Sequence, residues 1–176
     1  DVYKRQVYNA TVVEKLYNQG ISLVGKASMD ELAMGGTNKS ALTGPVFNPW
    51  DSSRIAGGSS GGSAALVGCG LVPFALGSDT GDSIRKPAGF CGIVGFKPTW
   101  GRISRFGVIP YASSLDHVGA FTRNVRDMAI VTEALAGRDD RDMTSSNRPV
   151  PHYLKDLNSD IKGIKIAVLK TVSDEI

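Results

Sequence analysis

Short apolar stretches alternate with polar, glycine-rich ones along this chain, and their periods predict alternating helices and strands. Between Ala10 and Asn18, Val12, Val13 and Leu16 fall on one face of a helix, and Gly20 follows as a C-terminal stop. Ile21 to Val24 reads as a short buried strand and Asp30 to Met34 as a short helix. A loop rich in Gly, Asn, Ser and Pro then runs from Gly35 to Gly58. Gly62 to Val67 opens a small-residue helix, while Val72 to Leu76 and Ile93 to Phe96 read as strands. Val125 to Leu135 is an amphipathic helix, and Ile164 to Leu169 a closing strand. This alternation argues for an α/β fold with at least partly parallel sheet. Gly137 to Ser159, polar and Pro-containing, reads as a surface connection, and no internal repeat is visible.

Composition narrows this picture modestly. With 41% hydrophobic and 21% charged residues, the chain is neither disordered nor membrane-spanning. Its apolar runs fall far short of the roughly 20 residues that cross a bilayer, and no signal peptide is seen. The 176 residues suffice for one core and one domain. A net charge of +3, evenly spread, does not argue for direct nucleic-acid binding. Cys69 and Cys91 sit in apolar stretches and read as buried free thiols of a cytosolic protein, without metal-ligand spacing.

Two serines in unlike glycine-rich settings carry the chemistry. Ser59 lies in Gly57-Gly58-Ser59-Ser60-Gly61-Gly62, and Ser83 in Gly81-Asp82-Ser83-Ile84-Arg85. Glycine lets backbone N–H groups approach a ligand closely, which suits a nucleophile beside a main-chain oxyanion hole. With two histidines in the chain, neither at triad spacing, such a serine calls for a base other than imidazole. A glycine-serine run alone is simplest read as a flexible loop. Gly57 to Ser63 also lacks the Gly-Lys-Ser/Thr ending of a phosphate-binding loop. Asp79-Thr80-Gly81 matches the core of aspartic proteases, a distant alternative that needs a second carboxylate close by.

The paired motifs resemble the amidase signature family. The residues are Gly57 to Gly62, then Gly77-Ser78-Asp79-Thr80-Gly81-Asp82-Ser83-Ile84-Arg85-Lys86-Pro87, with Cys91-Gly92-Ile93-Val94-Gly95-Phe96-Lys97-Pro98-Thr99 similar as well. Ala10 to Leu16, Lys26 to Glu31, Gly101 to Gly107, Ala112 to Asp116 and Gly163 to Val168 look like one branch of it. That branch is the A subunit of the glutamyl-tRNA(Gln) or aspartyl-tRNA(Asn) amidotransferases. The resemblance runs from about Val7 to Lys170. Asp1 to Gln6 falls outside it and reads as an unmatched leader, with 7–176 as part of a single amidase domain truncated at both ends.

The resemblance implies the amidase signature fold, a mixed central sheet covered by helices, here in part. It implies Ser83 as the nucleophile that forms an acyl-enzyme, and Ser59, on an unusual cis peptide, as the proton relay. The backbone N–H groups of Thr80, Gly81, Asp82 and Ser83 would form the oxyanion hole, and Met34 would line the substrate pocket, a core methionine being the equal alternative. A neutral lysine completes the family's Ser-Ser-Lys system. It falls upstream, on a segment this chain does not contain; Lys4, Lys15 and Lys26 are no substitutes, so this fragment is expected to be inactive alone. Asp82 stands where the family carries glycine. Asp tolerates the left-handed backbone expected there, but its carboxylate would oppose a developing oxyanion.

The activity implied is glutamine hydrolysis, supplying ammonia for amidation of misacylated Glu-tRNA(Gln) or Asp-tRNA(Asn). No cofactor or metal is implied in this chain, since ATP and Mg would be used by the partner in the complex. The implied partners are the B and C subunits of the amidotransferase, glutamine and, through the complex, misacylated tRNA, with no membrane and a cytoplasmic location (organellar in a eukaryote). A stand-alone amidase acting on another amide is the nearer alternative. Beside these readings, Arg85 is read as a structural ion-pair partner and Asp79 as a brace for the oxyanion loop. His117 and His152 are read as packed or solvated, and Lys97, Arg102 and Arg105 as surface or interface charges.

Overall fold

The computed structural model describes residues 7–167, so the leader and Val168 and Leu169 of the closing strand lie outside the described residues. The helix expected near the start is α1, Thr11–Asn18, ended by Gly20 in the left-handed region (φ +78). Next come α2 (Gly61–Gly68), β1 (Phe74–Asp79), α3 (Arg85–Cys91) and β2 (Val94–Phe96). Then follow β3 (His117–Thr122), α4 (Val125–Leu135) and the short α5 (Tyr153–Asp156). Asn124 caps α4, its side chain accepting a hydrogen bond from the Asp127 N–H.

The three strands form one sheet in the order β1-β3-β2. β3 lies between the other two and runs antiparallel to both, with Gly77 opposite Gly119 and Phe96 opposite Ala120. The α/β class is as expected, but the parallel pairing suggested by the alternation is not found among the described residues. The reason is β3, where Gly119 and Ala120 interrupt the strand-forming Val118, Phe121 and Thr122, so that the sequence does not announce it. It enters from later in the chain and separates two strands that point the same way. Gly119 makes this possible, because a Cβ there would stand 2.9 Å from Ile84 and press on the Phe96 carbonyl.

Side chains on β3 feed two cores. Val118 and Ala120 join Val12 and Leu16 of α1, Ile103, and Met128, Val131 and Leu135 of α4. Phe121, on the opposite face of the strand, joins Ala56, Ala64, Val67, Ile84, Ala88 and Cys91. Helices α1 and α4 therefore cover one side of the sheet, and α2 and α3 the other. Fully buried side chains such as Phe121 and Leu135 each contribute up to about 3 kcal/mol.

Several expectations change. Ile21 to Val24 forms no strand, and Leu23 and Val24 are exposed. No neighbouring strand reaches it among the described residues, and an extended segment needs one for its backbone hydrogen bonds. Ile164 to Ala167 is likewise exposed and non-strand. The helix expected over Asp30 to Met34 shrinks to a single 3-10 turn, Glu31–Ala33, with Leu32 and Ala33 in the left-handed region. The loop after α4 is packed rather than a loose surface connection, since Asp139, Asp142 and Ser145 are buried in it. Both cysteines are free thiols, but Cys69, at the C-terminal end of α2, is exposed. Cys91 is buried, and burial pushes its thiol up to about 11.

Candidate active site

The two glycine-rich serine turns meet at the carboxyl end of β1. The first is locked from below. Gly57 adopts φ +81, a conformation suited to glycine. At Gly58 a Cβ would stand 2.8 Å from the Asn38 N–H nitrogen and collide with the Asp30 carboxylate. The Gly58–Ser59 peptide is cis. The Ser59 carbonyl accepts from the Asp30 N–H at 3.0 Å, and the Gly58 N–H donates to the Gly36 carbonyl at 3.0 Å. Asp30 is fully buried and accepts from the Asn38 N–H, the Ser40 N–H and the Ser40 hydroxyl. Asn38 in turn accepts from the Gly61 N–H at 2.9 Å, which fixes the start of α2.

The same turn is pinned to β1. The Ser60 hydroxyl accepts from the Ser78 N–H and donates to the Ser78 carbonyl, both at 3.2 Å. The Ser63 hydroxyl donates to the Leu76 carbonyl at 2.8 Å. The strand then runs directly into the second turn, which Asp79 organises from a fully buried position. One of its oxygens accepts from the Ile84 N–H (3.0 Å), the Arg85 N–H (3.2 Å) and Arg85 Nε (3.2 Å), and the other from a terminal Arg85 nitrogen (3.0 Å). Burial opposes the charge on Asp79, but the Arg85 hydrogen bond and the two backbone donors outweigh it and hold its carboxyl below the ordinary value. Arg85 also donates to the Gly81 carbonyl. The Thr80 hydroxyl donates to Asp116 at 2.6 Å, and Asp116 also accepts from the Tyr111 and Ala112 N–H groups.

These supports bring the two serine turns together: the Ser60 N–H donates to the Ser83 carbonyl at 3.2 Å. Ser83 is 6% exposed and Ser59 fully buried. The Ser59 hydroxyl has no hydrogen-bond partner. A buried hydroxyl without a partner costs about 1–3 kcal/mol, so its presence asks for a reason beyond packing. The N–H groups of Gly81, Asp82 and Ser83 donate to no acceptor among the described residues. A buried serine pair beside unclaimed backbone donors is an arrangement able to form an acyl-enzyme and hold a tetrahedral oxyanion.

Other expected residues fall into place or move. Asp82 does not occupy the left-handed region expected at that position. Its carboxylate pairs with Lys86 at 2.6 Å. Met34 is 56% exposed, which excludes a core role, and it lies two residues from Gly36, whose carbonyl holds Gly58. Lys15 is half-buried at the end of α4, donating to the carbonyls of Leu135 (3.0 Å) and Ala136 (2.6 Å); burial lowers its pKa. Lys97 lies 3.3 Å from His117 Nε2, and burial holds that imidazole below its ordinary value. Arg102 and Arg105 are not free surface charges. Arg102 donates to Tyr153 and to the Arg148 and Pro149 carbonyls. Arg105 donates to Ser113 and Thr144 and stacks 4.9 Å over Trp100. The aspartic-protease reading fails here, because Asp79 is paired with Arg85 instead of sharing a proton with a second carboxylate. Among the described residues no cluster of His, Cys, Asp or Glu is placed to hold a metal, and no helix is long and apolar enough to cross a membrane.

The residues that sequence reasoning missed are the braces: Asp30, Asn38 and Asp116. The one legible signal was Asn38, of a residue type that tolerates the left-handed conformation it adopts (φ +59).

Comparison with known proteins places this geometry. The family model described as Amidase matches residues 1–176. The A subunit of the glutamyl-tRNA(Gln) amidotransferase of Geobacillus kaustophilus is 57% identical over 164 residues, 93% of this chain and 34% of that protein. A crystal structure of the corresponding A subunit from Thermotoga maritima superposes with a TM-score of 0.82 at 52% identity, covering 84% of this chain and 32% of that one. A 6-aminohexanoate cyclic dimer hydrolase superposes with a TM-score of 0.83 at 34% identity, covering 89% of this chain and 33% of its own. The chain spans about a third of the length of the curated relatives it matches.

Proposed function

The chain belongs to the amidase family, and from that premise we propose that it carries the serine pair of a glutaminase, the A subunit of a tRNA-dependent amidotransferase. Ser83 attacks the side-chain amide of glutamine, its proton passing to Ser59. The N–H groups of the Thr80–Ser83 turn hold the oxyanion, the relayed proton passes to the departing nitrogen so that it leaves as ammonia, and water releases glutamate from the acyl-enzyme. The base is a lysine outside these 176 residues; within them, Lys15 is committed to the end of α4 and Lys86 to Asp82. On this reading the isolated 176 residues are expected to show no turnover. Ammonia passes to the B subunit, which together with the C subunit uses ATP and Mg to amidate misacylated Glu-tRNA(Gln) or Asp-tRNA(Asn) in the cytoplasm or an organelle.

The observation that carries the reading is the meeting of the two turns: a buried, unpartnered Ser59 hydroxyl beside Ser83 and backbone N–H groups with no acceptor. The choice of glutamine rests on amidotransferase relatives at up to 57% identity, above the 34% of the cyclic dimer hydrolase. That hydrolase keeps a stand-alone amidase as the second reading. The test is ammonia release from glutamine by the full chain with its partner subunits. Ser83→Ala is expected to abolish it. Activity within about tenfold of the parent, a barrier change of only ~1.4 kcal/mol, would remove Ser83 from the nucleophile's role. Full activity on simple amides with none on glutamine would favour the second reading.

A further inference from the structure

Asp82 places a carboxylate next to the nucleophile, in the turn whose N–H groups face the developing negative charge. Left uncompensated, it would raise the barrier to the tetrahedral intermediate. Arg85 offsets it only in part, because its Nε and one terminal nitrogen are held by Asp79 and the Gly81 carbonyl, and its charge, which Asp82 also feels, is paired first with Asp79. Lys86 can offset the rest. Its Nζ lies 2.6 Å from Asp82, one helical turn on, and its own N–H donates to the Asp82 carbonyl at 2.8 Å. The ammonium also lies against Gly36, where a Cβ would stand 2.7 Å from Nζ. Gly36 is the residue whose carbonyl holds the Gly58 N–H. Lys86 therefore lies between the two serine turns, and the missing side chain at position 36 makes room for it.

We propose that Lys86 is a positioning residue of this site, one that neutralises Asp82 and holds its carboxylate away from the oxyanion. The inference rests on the acyl-enzyme reading of Ser83. It makes the Asp82–Lys86 pair a unit: either residue alone is unbalanced, and removing both restores a neutral turn. The pair is partly exposed, with side-chain accessibilities of 46% and 33%, so added salt weakens it.

The test is a double-mutant cycle in the full chain with its partner subunits, reading kcat and KM separately. Lys86→Met is expected to lower kcat about tenfold with KM changed less than about twofold, because the oxyanion develops only in the transition state. Asp82→Gly is expected to raise kcat severalfold, since the lysine then faces the turn uncancelled. The double variant should recover to at least the parent kcat, and Lys86→Arg should stay within about threefold of it. A lysine that only supports the fold would slow both backgrounds equally, and that result overturns the proposal, as does an unchanged Lys86→Met. Labelling by a serine-directed fluorophosphonate is read alongside. Label on Ser83 with an additive cycle refutes the role of Lys86 alone, whereas failure to label Ser83 refutes the nucleophile and this inference with it.

Discussion

Asp79 and Asp139 are both buried carboxylates that gather donors from several parts of the chain, yet they hold different things. Asp79 collects the Ile84 and Arg85 N–H groups and the Arg85 guanidinium, all within the few residues that present Ser83. Asp139 reaches across the molecule. It accepts from Thr11 at the start of α1, from the Ser104 hydroxyl at 2.6 Å and from the Arg141 N–H at 3.0 Å. Arg141 in turn bonds Thr11 and Glu14 and stacks 4.5 Å over Phe106. Burial opposes the charge on Asp139, but the Ser104 and Thr11 hydroxyls and Arg141 hold its carboxyl well below the ordinary carboxylate range. A depressed carboxylate therefore does not by itself mark a reactive site. What separates the two is the neighbour: one braces a turn with unclaimed backbone donors and a serine, and the other joins secondary structure to a loop.

That difference makes the effects of substitution diverge. Asp79→Ala should produce the larger change in chemistry. It frees the backbone donors of Ile84 and Arg85 and lets the Ser83 turn shift, and a displacement on the order of 1 Å costs about a hundredfold in turnover. Glutamine hydrolysis by the full chain with its partner subunits measures it. Turnover within about threefold of the parent would mean that Asp79 is no more than another architectural carboxylate.

Asp139→Asn should do the reverse, lowering stability by about 2–3 kcal/mol through lost charge-assisted hydrogen bonds while leaving kcat within about twofold. The pH dependence follows from the sign of the shift. Its folded pKa is depressed, so the stabilisation is present above the ordinary carboxylate value of about 4 and is lost as pH falls toward the folded value. The stability gap between parent and Asp139→Asn should therefore be constant from about pH 7 to 5 and narrow below about pH 4, followed by thermal unfolding across that range. A gap that instead widens in acid would contradict the assigned charge state.

The contrast also explains what the sequence disclosed. Helices α1 and α4 were legible because Val12 and Leu16, and Met128, Val131 and Leu135, carry their own period, and α2 because of its run of small residues after Gly61. Ser59 and Ser83 were legible because glycines flank them in paired motifs. β3 was not, since Val118, Gly119 and Ala120 take their strand conformation from being enclosed between β1 and β2. Pro87 and Gly89 likewise disguised α3. The donors to Asp139 lie more than a hundred positions away at Thr11 and thirty-five away at Ser104, a separation no local pattern reports. The lysine that balances Asp82 was one helical turn away, but pairing at that spacing is common on any helix surface. Its meaning came from Gly36 and the Ser83 turn, which only the fold brings beside it.

Mapping a covalent adduct decides whether Ser83 is the nucleophile and Ser59 its relay. The full chain with its partner subunits is treated with a fluorophosphonate, digested, and read by peptide mass spectrometry. One phosphonyl group is expected on the peptide carrying Ser83, with at least tenfold slower labelling in Ser59→Ala and none in Ser83→Ala. An adduct on Ser59 in the parent, or labelling of Ser83 at an undiminished rate in Ser59→Ala, would contradict these roles.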